Sequence, residues 1–213
     1  MKHFEIIILL IPLISFIIGV FFYPYMPEKI EIHWNTNFQV DQYVSKFWGL
    51  FSLPITLLLL SFLFIIIPKV DPLRENYKKF EKYYKGFCFL ILIFLFLTYL
   101  WLIAWNIGIR IISLSAFLSI SLGIISFYLG ILLENVKQNW FIGIRTPWTL
   151  SNEKVWDKTN KTAGKLFKFS SIIIFLGVIF PKYLIFLIVI LAILISVYSI
   201  IYSYLLYQKI TNL

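Results

Sequence analysis

Six stretches of the chain are almost wholly apolar, and the polar residues gather between them. They run Ile6–Phe22, Trp48–Ile67, Gly86–Trp105, Ile111–Leu133, Phe169–Phe180 and Tyr183–Tyr207. About 20 apolar residues in helix cross the hydrocarbon of a bilayer. The pattern therefore predicts an all-α integral membrane protein with six transmembrane helices. The fifth stretch is short. It is expected to begin a turn earlier, with Lys165 and Lys168 snorkelling to the headgroups, and Pro181-Lys182 marks its end. The sixth is long enough to tilt.

Composition agrees, with 61% hydrophobic and 14% charged residues and a mean hydropathy of +0.89. A soluble domain is nearer half apolar and a quarter charged. An even number of spans puts both termini on one side. Fifteen of the 19 Lys and Arg residues then share a side: Lys2, the six in 69–85, the seven in 137–168, and Lys209. Only Lys29, Lys46, Arg110 and Lys182 fall on the other. The positive-inside rule makes the first side, and both termini, cytoplasmic. The net charge of +9 is thus spread over juxtamembrane loops. Anionic headgroups, not nucleic acid, are the implied partner. The first stretch is followed by FFYPYMP, not by a small-residue cleavage site, and reads as a retained span. Cys88 stands alone, so neither a disulfide framework nor a cysteine metal site is expected. The sequon at Asn160 faces the cytoplasm and is discarded.

No charged side chain sits in the middle of a span, which argues against proton relays and ion paths. Small residues form two stripes. Ser115, Ser119, Gly123, Ser126 and Gly130 step along the fourth span, and Ala192, Ser196, Ser199 and Ser203 along the sixth. Such stripes bring helix backbones together. Aromatic residues, 20% of the chain, cluster at span ends as an interfacial belt. There is no internal repeat, which weakens a reading as a small-molecule carrier.

Three polar segments remain. In 23–47, Pro24 and Pro27 end the first span, and Ile30, Ile32 and Trp34 alternate with Glu31, His33 and Asn35. That alternation and the Asn35-Thr36-Asn37 turn predict a small extended hairpin outside the membrane. His33 with Glu31 or Asp41 reads as structural hydrogen bonding or as an acid–base or ligand group. One histidine with scattered carboxylates falls short of a closed metal site, so none is expected. Asp71-Pro72 opens a basic amphipathic helix, with Leu73, Tyr77, Phe80 and Tyr84 on one face, that runs into the third span. In 134–168, a tight turn around Gly143–Trp148 precedes a second basic helix, capped by Ser151. Lys154, Lys158, Lys161, Lys165 and Lys168 line one side of it, with Asp157 placed to pair with Lys161. Arg145 stands apart from that run. Its fork fits a carboxylate, a phosphate or a lipid headgroup, and equally a structural tie to a carbonyl or to Glu134.

The segments NWFIGIRTPWTL and VWDKTNKTAGKLF resemble the signature loop of the SdpI family of bacterial multi-span proteins. MPEKIEIHWNTNFQVDQYVSK resembles the small domain that precedes it, through Pro27, His33, Asn35, Asp41 and Lys46. Phe38 stands where a glycine is usual, which predicts a different turn. Asn160 stands where the family has a histidine, which puts any proton chemistry at that position in doubt. The resemblance divides the chain into 1–67, with the 23–47 loop, and a four-span region 68–213, with the 134–168 loop. It implies immunity to a secreted antimicrobial peptide and a relay to a cytoplasmic regulator. The residues expected to bind are His33, Asn35 and Asp41 outside, and Asn139, Gly143, Arg145, Thr146, Pro147, Trp148, Trp156, Thr159 and Gly164 inside. No cofactor is implied. Two alternatives stand: an enzyme on lipid-linked or peptide substrates at the interface, or a small-molecule carrier. Neither HExxH nor a nucleophile elbow is present for the former.

Overall fold

Helices form where the apolar runs lie. A computed structural model describes residues 2–211. Met1, positions 212–213 and the side chain of Lys2, which was counted to the cytoplasmic side, lie outside what is described. The helices are α1 (Lys2–Phe22), α2 (Lys46–Val70), α3 (Arg74–Asn106), α4 (Leu114–Asn135), α5 (Pro147–Ser151), α6 (Glu153–Phe175) and α7 (Leu184–Thr211). A two-stranded antiparallel hairpin, β1 (Lys29–Trp34) and β2 (Val40–Ser45), follows α1.

Five helices, α1 to α4 and α7, are long and apolar enough to cross a membrane. The stretch Phe169–Phe180 is not a separate helix. It is the end of α6, continued by a 3-10 turn at Leu176–Val178. The basic amphipathic segment after Asp71 is likewise the start of α3, which departs from helical geometry at Phe80 (φ −129°, ψ 16°). The chain packs as two compact units, one of 1–66 with Cys88–Leu114, the other of Ile67–Phe87 with Ser115–Leu213.

In the first unit, Ile8, Ile11, Leu57 and Leu92 form a core between α1, α2 and α3. Ser61 on α2 donates to the Ile8 carbonyl (2.9 Å) across it. The hairpin sits tightly on α2. Ile30 is fully buried, and a methyl group on Gly49 would come within 2.6 Å of its Cβ. The Asn106 amide at the end of α3 holds the hairpin edge, accepting from the Glu31 N–H (2.9 Å) and donating to its carbonyl (3.1 Å).

The turn corrects one expectation. Phe38 keeps the left-handed conformation a glycine would take there, with φ +58°. The Asn35 side-chain oxygen accepts from the N–H groups of Asn37 and Gln39 and imposes that path.

In the second unit, α4 runs antiparallel to α6 along its length, and its small residues Ser115 to Gly130 are all buried. Ser126 donates to the Phe167 carbonyl (2.9 Å) and lies 3.0 Å from the Ser170 hydroxyl. Gly130 meets Gly164 backbone to backbone, and nearer the other end Gly177 lies against Ser119. On α7 the stripe differs from the one expected. Ser199 and Ser203 are buried with Ile195, whereas Ala192 and Ser196 are exposed. The stripe keeps a strict four-residue step and so turns slowly around the helix.

Candidate functional site

The signature loop between α4 and α5 has no regular backbone ladder, so side chains must satisfy its peptide groups. Asn139, fully buried, does most of this. Its oxygen accepts from the N–H groups of Phe141 (2.9 Å) and Ile142 (2.7 Å), and its amide donates to the carbonyls of Lys137 and Ile142 (2.8 Å each). Trp156, also fully buried, donates from its indole to the Val136 carbonyl (3.1 Å). Gly143 holds φ +121°, and a Cβ there would come within 2.9 Å of both Asn160 and Trp156. Only glycine fits on both counts. Asn160 then accepts from the Ile144 N–H (2.8 Å) and donates to the Trp156 carbonyl (3.1 Å).

The loop ends in a capping box. The Thr146 N–H donates to the Thr149 hydroxyl (2.8 Å), and the Thr149 N–H to the Thr146 hydroxyl (3.2 Å). Pro147 occupies the first turn of α5, where no N–H is needed. The Thr146 hydroxyl reaches Ser203 on α7 (3.0 Å), and Trp148 packs on Tyr204 with ring centres 5.1 Å apart. The cap of α6 is Asn152, not Ser151, which is the last residue of α5. Asn152 wins because its oxygen accepts from both Lys154 and Val155.

Two expected pairings are replaced. Asp157 pairs with Lys137 (3.2 Å), not with Lys161. Glu134 pairs with Lys168 (2.6 Å), so Lys168 has a protein partner. Arg145 takes the structural option and donates from Nη1 to the Trp140 carbonyl. Its side chain stays exposed, as do those of Trp140 (54% exposed) and Phe141 (41%). Gly164 is buried against Gly130. Thr159 is buried with its hydroxyl unpartnered.

Sequence reasoning missed two anchors, one in the link between α2 and α3 and one in the first turn of α3. The buried Asp71 caps Leu73 with one oxygen (2.7 Å) and accepts from the Trp140 N–H with the other (2.9 Å). Asn76 donates to the Gln138 carbonyl (2.8 Å), and Gln138 itself to the carbonyls of Thr149 and Leu150. These partners lie 62 to 69 residues from the loop in two cases, and no local spacing marks them.

On the hairpin, His33 Nδ1 lies 2.5 Å from Asp41 Oδ1, both exposed, while Asn35 is spent on the turn. Glu31 accepts from the Trp105 indole, over which Arg110 stacks at 4.4 Å. Trp34 wedges edge-on against Trp101 and Trp105, with centroids at 5.1 and 5.6 Å. Below the hairpin is a cavity of about 340 Å³, walled by Ile32, Trp34, Leu53, Trp101, Leu102 and Leu114. Among the described residues, no three His, Cys, Asp or Glu side chains come together as a metal site would need.

Both motifs have known counterparts. The profile of the SdpI/YfhL protein family matches residues 135–203, and a domain of unknown function (DUF1648) matches residues 10–58. The Immunity protein SdpI of Bacillus subtilis (strain 168) is 30% identical over 213 residues, covering 98% of each chain. The chain belongs to the SdpI family. It is accordingly a multi-pass protein of the cell membrane. No solved structure matches it. The SdpI match begins at the end of α4 and ends at Ser203, the residue that Thr146 reaches on α7. The matched region therefore contains the whole loop, its contacts with α6 and its hydrogen bond to Ser203, but neither Tyr204 nor the anchors Asp71 and Asn76.

Proposed function

We propose that this protein confers immunity against a secreted antimicrobial peptide. The observation that carries the reading is the full-length match to an immunity protein, with both signature segments present. The hairpin would face outward and meet the peptide. Its exposed His33–Asp41 pair offers polar contacts, and the aromatic cavity below it has room for an apolar side chain. The inner segment would relay occupancy to a cytoplasmic regulator. Lys154, Lys158, Lys161 and Lys165 support this. They are exposed along one stripe of α6, and among the described residues none has an acidic partner.

The six-crossing topology belongs to the same reading. Because α6 pairs with α4 from Gly164 to Gly177, its second half runs beside a helix long enough to span. That placement supports a sixth crossing, and with it the positive-inside rule favours a cytoplasmic side for the two lysine-rich segments.

The test is survival of a sensitive bacterium expressing this chain and challenged with the peptide that the Bacillus subtilis relative resists. Protection by wild type, reduced at least tenfold by His33→Ala in protein shown to be inserted, is expected. An inserted wild type that leaves the cells as sensitive as the empty strain would overturn the reading.

A further inference from the structure

We infer that Trp140, Phe141 and Arg145 form a binding site for the headgroup of an anionic phospholipid in the leaflet that faces the signature loop. The argument starts from depth. At about 1.5 Å per residue, the run from Leu184 to Ser203 on α7 is close to the roughly 30 Å of hydrocarbon in a bilayer. Ser203 therefore lies near the end of the apolar layer opposite Leu184. The Thr146–Ser203 hydrogen bond (3.0 Å) pins the loop at that level. An independent marker agrees, since α4 has spanning length and ends at Asn135, four residues before Asn139.

At that level a bilayer presents phosphates and glycerol esters, where tryptophan and arginine are favoured. Trp140 and Phe141 are the exposed pair on this loop, 54% and 41%. They are rigidly presented. Asp71 holds the Trp140 N–H, Asn139 holds the Phe141 N–H, and the Trp140 carbonyl is held by Arg145. A large apolar pair fixed in an outward pose suits an apolar environment better than water.

The charge argument selects the lipid class. Arg145 has five N–H donors in a fork, and among the described residues its one bond is to the Trp140 carbonyl. Nearby carboxylates are engaged elsewhere: Glu134 with Lys168, Asp157 with Lys137, and Asp71 with two backbone N–H groups. The guanidinium is held on the Trp140 backbone carbonyl with most of its fork unspent, and a phosphate completes it. A cytoplasmic protein could also cover such a patch, but it would have to reach into the headgroup layer.

The protein labelled with fluorotryptophan would be placed in nanodiscs of phosphatidylcholine, and the Trp140 fluorine resonance assigned with Trp140→Phe. Doxyl-labelled lipid should broaden that resonance, and a water-soluble gadolinium chelate should not. Adding phosphatidylglycerol should shift it with an apparent affinity about fivefold above that for phosphatidylcholine, the weight of one basic residue near an anionic surface. Arg145→Gln should abolish the preference and Arg145→Lys should keep part of it. Broadening by the chelate in place of the lipid would overturn the inference. So would an equal response of wild type to the two lipids. Both outcomes are read without any peptide, so they are independent of the immunity assay.

Discussion

Gly130 and Gly164 touch backbone to backbone. A Cβ added to Gly130 would lie 2.5 Å from the Gly164 carbonyl oxygen, and one added to Gly164 would lie 2.6 Å from that of Gly130. Neither neighbour can turn aside, because both are main chain. Gly130→Ala or Gly164→Ala should therefore push α4 from α6 and cost about 2 kcal/mol or more. Gly123→Ala is the internal comparison. Its Cβ would meet first the ring of Phe175, at 2.7 Å, and a side chain can rotate away. Thermal unfolding in detergent should place both Gly130 and Gly164 variants well below Gly123→Ala. Equal midpoints for all three would refute the backbone contact.

Phe38 is the described non-glycine residue with a left-handed backbone, at φ +58°. That conformation costs an L-residue with a Cβ about 1–2 kcal/mol, and glycine escapes the cost while losing some chain entropy. Phe38→Gly should thus stabilise the hairpin by about 0.5–1 kcal/mol. Amide exchange at Asn37 and Gln39, both held by the Asn35 oxygen, should slow about two- to fivefold. Faster exchange in the glycine variant would show that the Phe38 side chain, half-buried, contributes more than its backbone costs.

Phe38 also shows where reading the sequence stops. The apolar runs, the hairpin and the small-residue stripe of α4 were legible because each has a period that local geometry imposes. A glycine-like conformation at a phenylalanine was not, since the Asn35 side chain enforces it from outside the residue. The extent of α6 was hidden for a similar reason. Its lysines suggested an interfacial helix followed by a separate span, yet Lys168 finds Glu134 and the helix continues through. In the candidate site, the turn and the standing apart of Arg145 were visible. The bonds of Asp71 and Asn76 to the loop were not, because tertiary contacts between distant segments leave no local spacing.

Asn160 accepts from the Ile144 N–H while fully buried. A histidine placed there would accept at one ring nitrogen only when neutral. Asn160→His should therefore retain the loop at pH 8. Burial disfavours the imidazolium, so its folded pKa falls below the unfolded value near 6.5. The unfolded chain then binds the extra proton first, and stability drops as pH falls below about 6.5. Melting curves at pH 8 and 5.5 should separate for the variant by several degrees more than for wild type. A variant that loses no more stability than wild type between those pH values would mean that the loop does not depend on this acceptor.

The antiparallel pairing of α4 with α6 has a topological consequence that single cysteines can read. Native Cys88 is buried and should be silent to a membrane-impermeant maleimide. Asn37→Cys, on the exposed hairpin turn, should label in intact cells. Lys158→Cys, in the lysine stripe of α6, should label only after permeabilisation. The deciding position is Lys209, near the end of α7. Were α6 to stay on the cytoplasmic side, the chain would cross five times and Lys209→Cys would share the labelling of Asn37→Cys. Were α6 instead to cross beside α4, which it meets from Gly130–Gly164 to Ser119–Gly177, the chain would cross six times, the expected outcome. Lys209→Cys would then behave as Lys158→Cys does. The physical ground is that Ser119, Gly123, Ser126 and Gly130 would otherwise present small, partly polar side chains to lipid. They are buried because α6 occupies that face, and a helix that covers a spanning helix along its length lies at the same depth.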